Sequence, residues 1–470
     1  MAPPNRTIHS FMLVFGVALL ACGGSADQGA ADAAAKHARA DAATPAQSTN
    51  SHGVRLCAYV PGKSKPVVLG ADVRPARKTM PASPALPAPS AVPVDTTQRQ
   101  LGVFSALRQA VIDNYHDPAY NGNDWNAITD RYRALVEGGL SDTDFYALLE
   151  GMVRELGDDH SYYQSPSEAA DADATSTKGQ NFVGIGILAT PIGDGTQGAV
   201  IAVWPDSPAA NAGLLRHDLL LEVDGQPYRG ADRIARSLGP EGTSFELTYQ
   251  RPGQGRKTVT LTRRAVQGFI PVDYCLVPDT HIGYVLLPTF LDKSIDDQVR
   301  DAVKAMSAGG ALDGLIVDNR MNDGGSGQVM QATLELFLDG RQGRFVSRTA
   351  ERSLGLTGMD LDGSQSVPLV VLTESDTASF AEVFSGVLQL AGRAKLVGGT
   401  TRGNVETLQR FVFDDGSRAW LATETFAPTG LDPGAWEGRG VAPDVDVPSR
   451  WDLFTEATDP VLARAVDLLR

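Results

Sequence analysis

The stretch LGDDHSYYQSP, residues 156–166, sets His160 behind two aspartates where a helical pattern gives way to a loop. The chain has seven histidines in 470 residues. An imidazole titrates near neutrality, so it accepts a proton from a hydroxyl brought within reach. LTESDTASFAEVFSGVLQ (372–389) supplies three hydroxyls, on Ser375, Ser379 and Ser385, where a strand pattern turns into a helix pattern. A serine at such a junction is exposed near the positive end of a helix dipole, although most serines at helix starts are N-caps. GLIVDNRMNDGGSG (314–327) ends a buried-strand pattern in Gly324 and Gly325, and the amides of such a loop suit a developing oxyanion. EGRGVAPDVDVP sets Glu437 just ahead of a Gly-Val turn.

The remaining histidines have plainer readings. His9, His37 and His52 fall in a leader or tether, His116 follows a helix, His217 lies in a middle unit and His281 precedes a strand. Asp158 and Asp159 read as loop-fixing or solvated acids, and Asp318 with Arg320 as an internal ion pair. There is no metal-spaced Cys/His cluster and no phosphate loop, so neither a metal nor another cofactor is expected. The formal charge of −15 argues against a nucleic-acid partner.

Several elements must position these groups. Residues 1–22 read as an export leader, because FMLVFGVALLA (11–21) is shorter than the roughly 20 apolar residues a membrane span needs. Its end, LLAC, resembles the lipobox of bacterial lipoproteins, which makes Cys22 the acylated residue of the mature chain. That implies a lipid anchor, with Gly23 suggesting the outer membrane, facing the periplasm or the cell surface. Residues 23–97 are rich in Ala, Asp, Ser and Pro and read as a flexible tether. Within them VRLCAYV and KPVVLGADV alternate like strands that pack on the body. Cys57 and Cys275 either pair in an oxidising compartment or remain free.

Residues 98–165 carry three segments of helical period, with Leu101, Phe104, Leu107, Val111 and Ile112 on one face of the first. Ser141 with Asp144 looks like a capping box with Asp in the Glu role. Short strands follow at roughly 182–189, 198–204, 218–223, 244–250 and 256–263. Residues 266–450 alternate strand and helix, the mark of an α/β unit with largely parallel strands, and 451–470 reads as a closing helix.

Residues 180–264, with VGIGI, SPAANAGL and LLLEVDG in order, resemble a PDZ domain, a small β-barrel with helices. The resemblance implies peptide capture at Val183, Gly184, Ile185 and Gly186 by strand addition. From about 98 to 450 the order IGYVLLPTF, LDGLIVDNRMNDGG, PLVVLTESDTASFAEVFSGVLQLAGRAKLVGGTTRGN and GRGVAPDVDV resembles the C-terminal-processing (tail-specific) serine peptidases. The implied fold is multidomain α/β: an N-terminal helical bundle, a PDZ domain and a ββα-type (ClpP/crotonase-like) catalytic core. The implied nucleophile is Ser379, with an oxyanion hole from Gly324 or Gly325 and the Phe380 amide.

The best-known branch uses a Ser–Lys dyad, but the matching segment here is TTRGNVE, with Asn404 at the lysine position. An amide accepts no proton at neutral pH, and Lys395, on the preceding strand, is a poor substitute. DDHSY instead resembles the tricorn-like Ser-His-Glu branch, which implies His160 as the base and Glu437 as the acid completing the network. The expected function is an endopeptidase acting outside the cytoplasm on protein or peptide substrates with free C-termini. The rival is a catalytically inactive PDZ-containing binding lipoprotein on the same fold. The sequence leaves the oligomeric state and the substrate open.

Overall fold

The computed structural model describes residues 48–73, 86–170, 181–230 and 234–470. Cys22 and the leader lie outside the described residues. Three helices open the body: α1 (Val94–Asn114), α2 (Trp125–Glu137) and α3 (Asp142–Arg154). The α1 face Gln100, Val103, Phe104, Leu107 and Val111 is buried at the i, i+3, i+4, i+7 spacing the pattern predicts. Asp124 caps α2 and Ser141 caps α3. Asp144 does not reach back to the Ser141 amide; its carboxylate takes the Ser141 hydroxyl proton at 2.6 Å, which shortens the expected capping box. After α3 the chain forms the short strand β1 (Tyr162–Gln164).

The middle unit contains β2 (Asn181–Gly184), β3 (Ile187–Ile192), β4 (Gln197–Val203), the short α4 (Pro208–Asn211), β5 (Leu219–Val223), β6 (Gln226–Pro227), β7 (Ser244–Gln250), β8 (Arg256–Thr262) and β9 (Arg264–Gln267). Five strands line up in the order β3-β4-β5-β7-β8, and β2 pairs with β9. The first expected strand is thus two, broken by the bend at 185–186.

The core supplies β10 (Tyr274–Leu276), β11 (Ile282–Leu286), α5 (Ile295–Ser307), β12 (Gly314–Asp318), α6 (Gly327–Leu334), β13 (Gly340–Val346), β14 (Glu351–Leu356), β15 (Leu369–Thr373), α7 (Phe380–Leu390), β16 (Ala394–Gly398), β17 (Thr407–Val412), β18 (Arg418–Pro428), β19 (Val445–Asp446) and α8 (Pro460–Leu469). One sheet runs β10-β11-β12-β15-β16-β19, parallel except for β10. Its strands are continuous apolar runs because both faces are covered. Val285, Val317, Val371 and Leu396 point to the cluster built with α5 and α7, while Tyr284, Ile316, Val370 and Val397 point to the one built with α8. A second sheet pairs β18 with β17 on one side and with β1 and β13 on the other. Through β1 the helical domain is stitched to the core.

Residues 48–73, inside the expected tether, pack on the body as the strand-like patches there suggested. Val54, Cys57 and Tyr59 are buried, and Cys57 is disulfide-bonded to Cys275 with Cα atoms 5.1 Å apart. Cys57 and Tyr59 join the cluster on the α8 face of the sheet, while Val54 joins the cluster on the opposite face. Arg55 of this strap and Arg216 of the middle unit both pair with Asp273 and Glu456 of the core. The His217 ring lies 4.0 Å from that of Trp451 and its Nδ1 donates to the Trp451 carbonyl at 2.9 Å, while Trp451 Nε1 donates to the Val200 carbonyl at 2.9 Å. His217 is therefore an interface residue, and burial pushes its titration well down.

Arg320 is fully buried between Asp318 and Asp459, with Tyr284 donating to Asp318 at 2.8 Å. The ion pair expected from the sequence is thus a triad that fastens α8 under the sheet. Removing one partner of such a group strands the others in low dielectric. Arg320→Ala should lower the unfolding free energy by about 3–5 kcal/mol, read by urea denaturation; a loss below about 1 kcal/mol, the range of a surface pair, would place the triad in effective contact with water.

Candidate active site

Ser379 stands between β15 and α7 with φ 56° and ψ −130°, a left-handed conformation that a residue with a side chain adopts only under constraint. The constraint is visible. The Ala378 amide donates to the Asn322 carbonyl at 3.0 Å, and the Ser379 amide donates to Glu382 Oε1 at 3.2 Å. Ser375 lies in the loop before the turn, and the Ser385 hydroxyl is buried against the Ala381 carbonyl and Asn319. Of the three candidate serines, Ser379 is the one presented at the turn.

The glycine loop lies directly against it. A Cβ on Gly324 would stand 2.7 Å from Ser379 Cβ and 3.1 Å from Ser379 Oγ, and one on Gly325 would stand 2.3 Å from the Phe290 carbonyl carbon. Both glycines have positive φ, 100° and 137°, so close approach and conformation both demand them. The two amides differ. Gly324 N–H donates to Asn322 Oδ1 at 3.0 Å, which removes it from the expected oxyanion pair. Gly325 N–H has no acceptor among the described residues, and Phe380 N–H opens α7, where no intrahelical acceptor exists.

Glu382 is buried in the first turn of α7. Besides Ser379 it accepts from the Thr401 hydroxyl at 2.5 Å, the Gly403 amide at 2.5 Å and the Asn404 amide at 2.7 Å. Burial pushes its titration up, and these donors pull it back. The Asn404 side chain, turned so that its nitrogen faces Asp159, donates to Asp159 Oδ1 at 3.0 Å. The residue at the lysine position therefore bridges the serine turn to the His160 loop.

That loop is held by Asp158. Its Oδ1 accepts the amides of His160 (3.0 Å) and Ser161 (2.5 Å), and its Oδ2 accepts the hydroxyls of Tyr115 (2.6 Å) and Ser161 (2.9 Å). Asp158 is loop-fixing and buried. His160 Nδ1 lies 3.6 Å from Glu406 Oε2. No hydrogen bond joins the His160 ring to Ser379; the two are tied through Asn404, Asp159 and Glu382. Burial pushes the His160 titration down, against the raising influence of Glu437, Asp158, Glu382 and Asp159.

The carboxylate beside His160 is thus Glu406, which the sequence reading passed over although it closes the quoted TTRGNVE. Glu437 is hydrogen-bonded to Glu406 and accepts the Val405 amide at 2.8 Å. Burial pushes Glu437 up to about 9 and Glu406 up to about 7, with the Glu406 carboxyl adding to the rise of Glu437. At neutral pH Glu437 keeps the proton and Glu406 receives it as a hydrogen bond. Glu382 and His116, whose Nε2 lies 3.8 Å from Glu406 Oε1, were also missed. The Ser-x-x-Glu capping-box spacing could have flagged Glu382, whereas His116 has no local mark, since Glu406 is far away in sequence.

The groups expected to bind peptide sit elsewhere. Val183 pairs with Ala265, Ile185 is 1% exposed, and the space beside Gly186 is filled by Ser207, whose Cβ would be 2.2 Å from an added methyl. The Ile185 and Gly186 carbonyls accept the amides of Ala209 and Trp204. Tight packing onto α4 accounts for Gly186. Among the described residues the one group of potential metal ligands within mutual reach is Cys57, Cys275 and Glu456, and there the sulfurs are joined to each other.

Residues 281–447 match the model of Peptidase family S41, residues 200–251 the PDZ domain model and residues 101–154 the tricorn protease C1 domain model. Carboxy-terminal processing protease CtpA of Bacillus subtilis is 28% identical over 309 residues, which cover 63% of this chain and 62% of that protein. The carboxyl-terminal-processing protease of Synechocystis is 28% identical over 372 residues, covering 76% and 84%. The solved photosystem II D1 C-terminal processing protease superposes with a TM-score of 0.52 at 26% identity, over 76% of this chain and 94% of that one. The strained serine turn, the glycine loop pressed on its hydroxyl and these three successive matches together make the chain similar to the C-terminal-processing serine proteases, with a peptidase family S41 domain over residues 281–447.

Proposed function

We propose that the chain is a serine endopeptidase that cleaves unstructured or PDZ-captured protein substrates outside the cytoplasm, held to the membrane by a lipid on Cys22. The observation that carries this reading is the Ser379 turn, strained at φ 56°, pressed against Gly324 and linked to a buried imidazole backed by a carboxylate. Ser379 Oγ attacks the scissile carbonyl while His160 Nε2 takes its proton. The C–N bond then breaks as that proton passes to the leaving amine, and water releases the acyl group by the same route. The Gly325 and Phe380 amides face the oxyanion. Nδ1 of His160 donates toward Glu406, and Glu437 supplies the proton that steadies Glu406. Catalytic hydrogen bonds of this kind commonly close only around bound substrate.

The rival reading, a binding protein without turnover, rests on the missing lysine. Asn404 has a structural task in its place. A fluorophosphonate probe separates the two. It should label the wild-type protein at Ser379, fail on Ser379→Ala, and react far more slowly with His160→Ala. Ser379→Ala should fold normally and lose cleavage of a disordered substrate such as casein; retained cleavage would sink the proposal.

The pH dependence has a definite sign. Glu406 must be ionised to support an imidazolium, and its carboxyl loses its proton only as pH rises through about 7. His160 itself is pushed below its ordinary value, so it is already neutral there. Peptidase activity should therefore rise across neutrality, well above ordinary carboxylate titration, and Glu406→Gln should abolish that limb in a kcat/KM profile.

A further inference from the structure

Three buried polar atoms without a hydrogen bond gather around one carboxylate: His116 Nε2, His160 Nδ1 and Glu406 Oε2. Buried polar groups are nearly always paired, and an exception needs an explanation. Glu406 turns one oxygen to each ring, Oε1 to His116 at 3.8 Å and Oε2 to His160 at 3.6 Å. Closing either gap to hydrogen-bond length takes a shift of about 1 Å.

The scaffold makes this convergence specific. The His116 amide donates to the Ala422 carbonyl at 2.9 Å, and the Ala422 amide donates to Ser161 Oγ at 3.0 Å. Both histidine loops thus grip one residue of β18. Tyr115 reinforces this by donating to Asp158, which fixes the His160 loop. Glu406 immediately precedes β17, whose Leu408 pairs with Ala422.

We propose that His116 is a positioning residue for catalysis, donating from Nε2 to Glu406 Oε1 so that the carboxylate stays ionised with its second oxygen turned to His160. The proposal rests on the Ser379–His160 reading above. Glu406 is faced by Glu437, Asp158 and Asp159 besides the two imidazoles, and Asp117 adds its charge near His116. In that acidic setting a neutral donor favours the ionised form without adding charge. Burial keeps His116 neutral by pushing its titration down. Without the donor, Glu406 holds its proton to higher pH, and His160 then loses its anionic support.

The test compares fluorophosphonate labelling rate and peptide hydrolysis against pH in the full chain, with thermal melting alongside. His116→Phe keeps a ring and removes the donor; it should lower kcat about 10-fold at pH 7 and move the acid limb upward. His116→Gln keeps an N–H and should restore both. His116→Asn, too short to reach Glu406, should behave as the Phe variant and replaces it if that variant melts early. An acid limb at the wild-type pH in the Phe or Asn variant overturns the role of His116. Labelling that survives Ser379→Ala refutes the catalytic reading itself, so the two failures are told apart.

Discussion

One buried carboxylate holds the centre of this molecule together. Glu382 collects the amides of Ser379, Gly403 and Asn404 and the hydroxyl of Thr401. An ionised group inside a protein is tolerable only when its lone pairs are filled, and four donors from two chain segments fill these. The same bonds keep Ser379 in a backbone conformation it would otherwise leave, because strained dihedrals persist only where their surroundings over-determine them. They also fix the 400–404 loop, from which Asn404 reaches the helical domain. The conformation of the Ser379 turn and the placement of the 400–404 loop therefore depend on one acid.

Periodic features of the chain were legible in its sequence. The buried runs of β11, β12 and β15 announce a parallel sheet, and the 3.6-residue spacing of α1 to α3 announces the bundle. The serine turn and the Gly-Gly loop are local signatures, so they too could be read from adjacent residues. The surroundings of His160 could not. Glu406 lies 246 positions from it by sequence number, and its pairing is created by β1 joining β18. Glu437, expected to complete the network, acts on His160 through its charge and is hydrogen-bonded to Glu406, whose own oxygen lies 3.6 Å from His160 Nδ1. The strap at 48–73, read as packing on the body within a tether, could be placed only once the sheet face it covers was known.

Two carboxyl groups sharing a proton next to an imidazole form a graded system. Burial pushes both upward, and their mutual hydrogen bond separates them, with Glu437 at about 9 and Glu406 at about 7. Glu437 is raised further by the charge and hydrogen bond of Glu406, while the hydrogen bond from Glu437 lowers Glu406, so Glu406 is the first of the two to ionise as pH rises.

The salt links and ring contacts that join Arg216, His217 and Val200 of the PDZ unit to Glu456, Asp273 and Trp451 leave that unit no freedom to swing without exposing paired charges. Rotating that unit away from the core would part the Arg216 guanidinium from two carboxylates, so its placement over the sheet is secured by charge as well as by ring packing.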